Sequence, residues 1–107
     1  MTLQKLSNND LFLAPSLLAA DFANLEAELK STEEARVQIL HLDVMDGHFV
    51  PNLSIGPPVI EALRSKTKML FDVHLMLTHP KDYLENFKGA GADHITFHLE
   101  SDSPVQE

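Results

Sequence analysis

Two ionisable side chains lie two residues apart inside an apolar segment of this 107-residue chain: His41 and Asp43 alternate with Leu40, Leu42 and Val44. Successive side chains of a β-strand point to opposite faces, so the imidazole and the carboxylate would share one face and the three aliphatic side chains the other. A carboxylate on a buried face is costly unless it is paired or coordinated. The alternation therefore predicts a strand with polar chemistry on one side.

A second polar pair, Asp72 and His74, alternates in the same way within the apolar segment 69–76. His41, Asp43 and His74 together supply three donors that suit a divalent metal ion. A buried Asp–His pair with a purely structural role fits the same residues. Both interpretations stay open on the residue pattern alone.

Other candidates carry weaker signals. Ser16 can hydrogen-bond a ligand, but no base is evident beside it, which disfavours a serine nucleophile. Met45 and Met76 each end a predicted strand, where methionine commonly fills a core. His98 lies in the predicted strand over 94–99, but the sequence does not indicate which residue it would contact.

The elements that must position these residues alternate along the chain as β-α-β-α-β-α-β. Such alternation predicts a parallel sheet with helical crossovers, and its polar residues gather at the carboxyl ends of the strands, where ligands bind. We expect a flexible lead-in over 1–10, one domain over 11–100 and an acidic tail over 101–107. The predicted strands cover 11–18, 37–45, 69–76 and 94–99, and the predicted helices begin near Asp21, Gly56 and Pro80.

The composition excludes several classes of function. Sixteen acidic against eight basic residues give a net charge of −8, which disfavours nucleic acid and anionic membranes as partners. The absence of cysteine excludes disulfides and thiolate chemistry. No secretory signal or membrane-spanning segment is recognisable, and we expect a cytoplasmic protein.

Four segments, in order, resemble motifs of the ribulose-phosphate 3-epimerase family. The most specific is 41–52, HLDVMDGHFVPN, which is similar to the family signature H-x-D-V-M-D-G-x-F-V-P-N. The other three are APSLLAADF at 14–22, DVHLM at 72–76, and GAGAD with the following HLE at 89–100. The resemblance covers residues 14 to 100.

This resemblance implies the N-terminal half of a (β/α)₈ barrel of the ribulose-phosphate binding type, with about four parallel strands and three intervening helices. It implies an isomerase of the pentose phosphate pathway that interconverts D-ribulose 5-phosphate and D-xylulose 5-phosphate through an enediolate. One divalent metal ion (Zn, Fe, Mn or Co) would be held by His41, Asp43 and His74, and Asp43 would also be catalytic. The substrate contacts would be Ser16, His41, Met45, His74 and Met76.

Four strands are half of what the barrel needs, since the complete fold takes about 250 residues. The second proton-transfer carboxylate and the phosphate loops of the family belong to later strands, so we expect the 107-residue chain to be inactive alone. Its two open sheet edges favour self-association, and we expect a homo-oligomer. The alternatives are a related ketose-phosphate epimerase or synthase barrel, and a non-enzymatic metal-binding or interaction fragment.

Overall fold

A computed structural model of the chain describes residues 11–103, in which three parallel strands form one open sheet in the order β1-β2-β3. The helices lie between the strands in the chain, as the alternating pattern predicts. The arrangement is α/β and matches part of a (β/α)₈ barrel. The strands are β1 Ile39–Met45, β2 Leu70–Met76 and β3 His94–Phe97, and the helices are α1 Leu25–Glu34, α2 Pro57–Arg64 and α3 Leu84–Ala90.

One face of the sheet is apolar and is covered by helices. Hydrophobic side chains from β1 and β2 are buried there, and Ile60 of α2 and Phe87 of α3 belong to the same cluster. This burial on the helix side explains why the strands are so rich in aliphatic residues. The buried strand residues of this face are Leu40, Leu42, Val44, Phe71, Val73 and Leu75.

The opposite face carries the polar side chains in register. His41 pairs with Asp72, Asp43 with His74, and Met45 with Met76 across β1 and β2. All of these residues are partly buried. Because parallel strands end at the same edge of a sheet, the register places these pairs together near the carboxyl ends of the strands.

The predicted first strand over 11–18 forms a single parallel bridge, between Ser16 and His41. The His41 N–H donates to the Pro15 carbonyl oxygen at 2.9 Å. Pro15 itself has no N–H to extend a ladder, and the chain then turns into a short 3₁₀ helix at Leu17–Ala19. The described sheet therefore has three strands rather than four.

Two helices begin later than the sequence indicates. Asp21 accepts a hydrogen bond from the Ala23 N–H, as an N-cap does, but it caps a 3₁₀ turn that precedes α1. Pro80 likewise opens a 3₁₀ turn before α3. Phe22, in the first of these 3₁₀ turns, is 43% exposed, whereas Leu29 of α1 is buried.

The chain after β3 folds back on the loop that follows β2. The Asp102 N–H donates to the Thr78 carbonyl oxygen at 2.9 Å, and the Ser103 hydroxyl accepts from the Lys81 N–H at 3.0 Å. Of the predicted tail over 101–107, residues 104–107 lie outside the described residues, as does the predicted lead-in over 1–10. Within 11–103, no helix has the length and apolar character that crossing a membrane requires.

Arg64, the last residue of α2, joins this helix to the chain that enters β2 and β3. One guanidinium nitrogen donates to the Gly91 carbonyl oxygen at 3.2 Å and to the Asp93 carboxylate at 2.9 Å. The other donates to two carbonyl oxygens ahead of β2, those of Thr67 and Met69, at 3.0 and 2.6 Å. The guanidinium is thus fixed, and the backbone at Gly91 is packed closely against its side chain.

We expect Gly91→Ala to destabilise the fold by about 2–3 kcal/mol. Gly91 ends α3 with a φ of 116°, and a Cβ added there would lie 2.3 Å from Arg64 Cδ. Gly89 is the matched control: it lies inside α3, and nothing approaches an added Cβ within 4 Å. Gly89→Ala should therefore stabilise the chain by about 0.5–1 kcal/mol. Urea unfolding of both variants checks the prediction, and shifts of the same sign would contradict it.

Candidate functional site

Three side chains from β1 and β2 direct their donor atoms at one point. The Asp43 Oδ1 atom lies 3.1 Å from His41 Nε2 and 3.0 Å from His74 Nδ1. The three donor atoms all lie within 4.8 Å of one another. His41 and Asp43 share a face because they are two residues apart in β1, and the strand register brings His74 opposite Asp43. The structure thus brings together the three residues that the sequence predicts as a metal set.

The other carboxylate oxygen of Asp43 is held by Ser16. The Ser16 hydroxyl donates to Asp43 Oδ2 at 2.6 Å. Burial, the largest influence, raises the pKa of Asp43, but the Ser16 hydrogen bond and the charges of His41 and His74 outweigh it. The pKa of Asp43 therefore lies below its usual value, and the group is a carboxylate at neutral pH.

Each imidazole also has a partner on its far side. His41 Nδ1 donates to Asp72 Oδ2 at 2.9 Å, since a carboxylate only accepts. His74 Nε2 lies 2.7 Å from His98 Nε2. Sequence reasoning did not include Asp72 or His98 among the site residues. The sequence did indicate that Asp72 shares a strand face with His74. It could not indicate that Asp72 contacts His41 or that His98 contacts His74, because these contacts depend on how the strands align.

The remaining predicted residues lie at the same edge of the sheet. Met45 and Met76 form the last register pair of β1 and β2, on the same face as Asp43 and His74. Both methionines are partly buried. Ser16 bonds to Asp43 rather than standing apart as a free ligand contact. The predicted roles of Ser16, Met45 and Met76 toward a substrate stay predictions.

Two imidazole nitrogens and one carboxylate oxygen form a donor set that suits a divalent cation of the first transition row. In the structure these atoms are close enough to share one ion, and each carries a lone pair or can lose a proton to provide one. The residues present therefore fit a metal ion, although the donor types do not select one metal over another.

Asp46, directly after β1, organises the loops around this edge. Its Oδ1 atom accepts from the N–H groups of His48 and Phe49, and its Oδ2 atom accepts from that of Thr78, each at 2.8 Å. Burial is the largest influence and raises the pKa of Asp46, but these donors together outweigh it and lower the pKa to about 2. The ionised carboxylate thus ties the loop after β1 to the loop after β2.

We expect the stabilising effect of Asp46 to be lost in acid. The pKa is lowered in the folded chain, so its contribution is complete above pH 3.8, the ordinary value, and disappears as the pH falls toward 2. Asp46→Asn should lower the free energy of unfolding by about 1 kcal/mol at pH 6, allowing for solvent screening. Near pH 2 the same substitution should change it very little. Urea unfolding at both pH values measures this. A cost that is the same at both would contradict it, and Asp82→Asn, at an exposed position, is the control.

The chain matches known proteins along nearly all of its length. The model of the ribulose-phosphate 3 epimerase family matches residues 12–107. The ribulose-phosphate 3-epimerase of Treponema pallidum is 58% identical over 90 residues, which are 84% of this chain and 41% of the relative. The cytoplasmic isoform of Oryza sativa is 54% identical over 88 residues (82% and 39%), and the Bacillus subtilis enzyme 49% over 89 residues (83% and 41%). The chain thus spans about two fifths of the length of these relatives.

Proposed function

Because the chain belongs to the ribulose-phosphate 3-epimerase family, we propose that it supplies the metal-binding part of an enzyme that interconverts D-ribulose 5-phosphate and D-xylulose 5-phosphate. The observation that carries the proposal is the convergence of His41 Nε2 and His74 Nδ1 on Asp43 Oδ1, at 3.1 and 3.0 Å, near the carboxyl edge of a parallel sheet. Active sites of (β/α)₈ enzymes lie at this edge.

Asp43 is the group we propose for proton transfer. Inversion at carbon 3 begins with removal of the proton next to the ketone, and a carboxylate in reach of that carbon can accept it as a general base. The lowered pKa keeps Asp43 ionised at neutral pH, and the Ser16 hydroxyl fixes one of its oxygens. The carboxylate would thus be oriented as well as ionised before a substrate arrives.

His41, Asp43 and His74 would hold the divalent cation. A bound cation supplies Lewis-acid stabilisation of the negative charge that develops on the sugar oxygens. We propose that Ser16, His41 and His74 also lie against the sugar, and that Met45 and Met76 cover it, since the two methionines sit one register position beyond the proposed ligands. Their thioethers would offer the reacting carbons a soft, apolar surface.

Inversion also needs a second acid on the opposite face of carbon 3 and a site for the phosphate. We propose that strands beyond this part of the family's barrel provide both, and that residues 1–107 alone do not turn over. Self-association through the free edges of the sheet and a cytoplasmic location, in the pentose phosphate pathway, belong to the same proposal. A single compact monomer in sedimentation would contradict the self-association.

A chimera tests the proposed function. The 90 matched residues of the Treponema pallidum relative are replaced by those of this chain, and conversion of D-ribulose 5-phosphate is measured with added Zn²⁺, Mn²⁺, Fe²⁺ or Co²⁺. We expect turnover within about tenfold of the parent, because the replaced segment keeps the proposed ligands and base. A folded chimera that binds metal but does not epimerise would contradict the proposal and favour a non-enzymatic metal-binding role.

A further inference from the structure

The two histidines of the candidate metal site use different ring nitrogens. His41 presents Nε2 to Asp43, whereas His74 presents Nδ1 to the same carboxylate oxygen. A neutral imidazole carries its proton on one nitrogen and its lone pair on the other. The two rings must therefore adopt opposite tautomers to offer lone pairs to one ion, and a single shared environment cannot select both.

We propose that Asp72 and His98 are positioning residues that hold the two rings in these opposite tautomers when a cation is bound. This inference rests on the metal site of the proposed function. Asp43, like Asp72, can only accept, so without a cation it competes for the ring protons at His41 Nε2 and His74 Nδ1. With a cation between these atoms, the 2.9 Å contact of Asp72 would hold the proton of His41 on Nδ1 and leave Nε2 for the cation. His98 Nε2, 2.7 Å from His74 Nε2, would then accept the proton of that ring and leave its Nδ1 for the cation. Metal-binding histidines are commonly oriented by such a contact at the other nitrogen.

Asp72 has little other reason to be a carboxylate. Its Oδ1 atom is buried and has no hydrogen-bond partner among residues 11–103, which is a costly state for a polar atom. Its register neighbour in β1 is His41. If this position served packing alone, an apolar side chain would avoid the cost. Within residues 11–103, the contact with His41 is therefore the interaction that accounts for a carboxylate at this position.

His98 is itself held in place beyond the end of β3. Its ring packs against Phe49, with the ring centroids 5.1 Å apart, and its centroid lies 4.9 Å from that of His74. The Nδ1 atom of His98 lies 3.8 Å from the Glu100 carboxylate. A carboxylate on this side favours a proton on Nδ1, so Nε2 keeps the lone pair that His74 needs as an acceptor. His98 is therefore placed to accept from His74.

The tautomers are measured directly by ¹⁵N NMR of the imidazole nitrogens in the Zn²⁺-loaded 107-residue chain. We expect the proton of His41 on Nδ1 and that of His74 on Nε2. The opposite tautomer at either ring would overturn the proposal. This measurement uses the unaltered chain, so it does not depend on whether any variant folds.

Zn²⁺ affinity, measured by competition with a chromophoric chelator, gives the second readout. Asp72→Leu and His98→Phe should each weaken binding by about 10–100-fold. His98→Gln retains an acceptor oxygen and should stay within about threefold of the unaltered chain. His94→Leu is the control, because His94 is exposed and is the register neighbour of Asp72 in β3. Unchanged affinity in both Asp72→Leu and His98→Phe would overturn the proposal.

The two readouts separate this proposal from the proposed function. If the unaltered chain fails to bind Zn²⁺, the metal site of the proposed function is wrong, and the positioning proposal that rests on it is overturned as well. If it binds Zn²⁺ and the tautomers differ from those expected, the positioning proposal fails while the metal site stands.

Discussion

Asp43→Asn should lower turnover of the chimera by about 10³–10⁴-fold. An amide cannot accept the proton from carbon 3, and loss of a positioned general base commonly has an effect of this size. The change keeps the side-chain volume and the acceptor oxygen that meets the Ser16 hydroxyl, so the fold should be retained. The measurement is the rate of D-xylulose 5-phosphate formation at saturating metal.

The matched control for this variant is Asp82→Asn. Asp82 is an exposed carboxylate in the 3₁₀ turn before α3, away from the three donor atoms. We expect its turnover to stay within about twofold of the chimera, as surface substitutions usually do. If Asp43→Asn and Asp82→Asn have the same rate, Asp43 is not the base, and the proposed mechanism is wrong.

Phe71→Ala should destabilise the chain by about 4 kcal/mol, a large part of the stability of a domain of this size. Phe71 lies in β2 with no exposed surface. The Arg64 guanidinium lies over its ring, 3.8 Å from the ring centroid. The substitution removes apolar burial and leaves a cavity, and it also removes the cation–π contact. Urea unfolding measures the loss.

Phe22→Ala is the control, because it removes the same side chain at a position that is 43% exposed. We expect a cost below about 1 kcal/mol there, since little apolar surface leaves a buried environment. Equal costs at the two positions would mean that the core does not lie between the sheet and its helices.

The sequence was sufficient to predict the parallel sheet and the polar face of each strand. Alternation of His41 and Asp43 with aliphatic residues requires only that the segment be a strand. A first strand was predicted over 11–18 where only a single bridge forms, because the effect of Pro15 on a strand ladder depends on which strand lies beside it. Helical spacing likewise does not reveal the 3₁₀ turn that precedes α1 and leaves Phe22 exposed.

The contacts that Asp72 and His98 make with the candidate metal ligands could not be predicted from the sequence. Asp72 meets His41 because β1 and β2 align with an offset of 31 residues, and a shift of one residue would move every side chain to the other face. His98 reaches His74 from beyond the end of β3, where the regular alternation has stopped. The spacing of residues within one strand does not indicate the distance between His41 and Asp72 or that between His74 and His98.

Anomalous diffraction at the zinc edge shows whether His41, Asp43 and His74 hold one divalent cation. Crystals of the chain grown with one equivalent of Zn²⁺ should show a peak about 2.0–2.2 Å from His41 Nε2, from an Asp43 carboxylate oxygen and from His74 Nδ1. Bound zinc whose peaks all lie elsewhere, with these three side chains still paired to one another, would contradict the account.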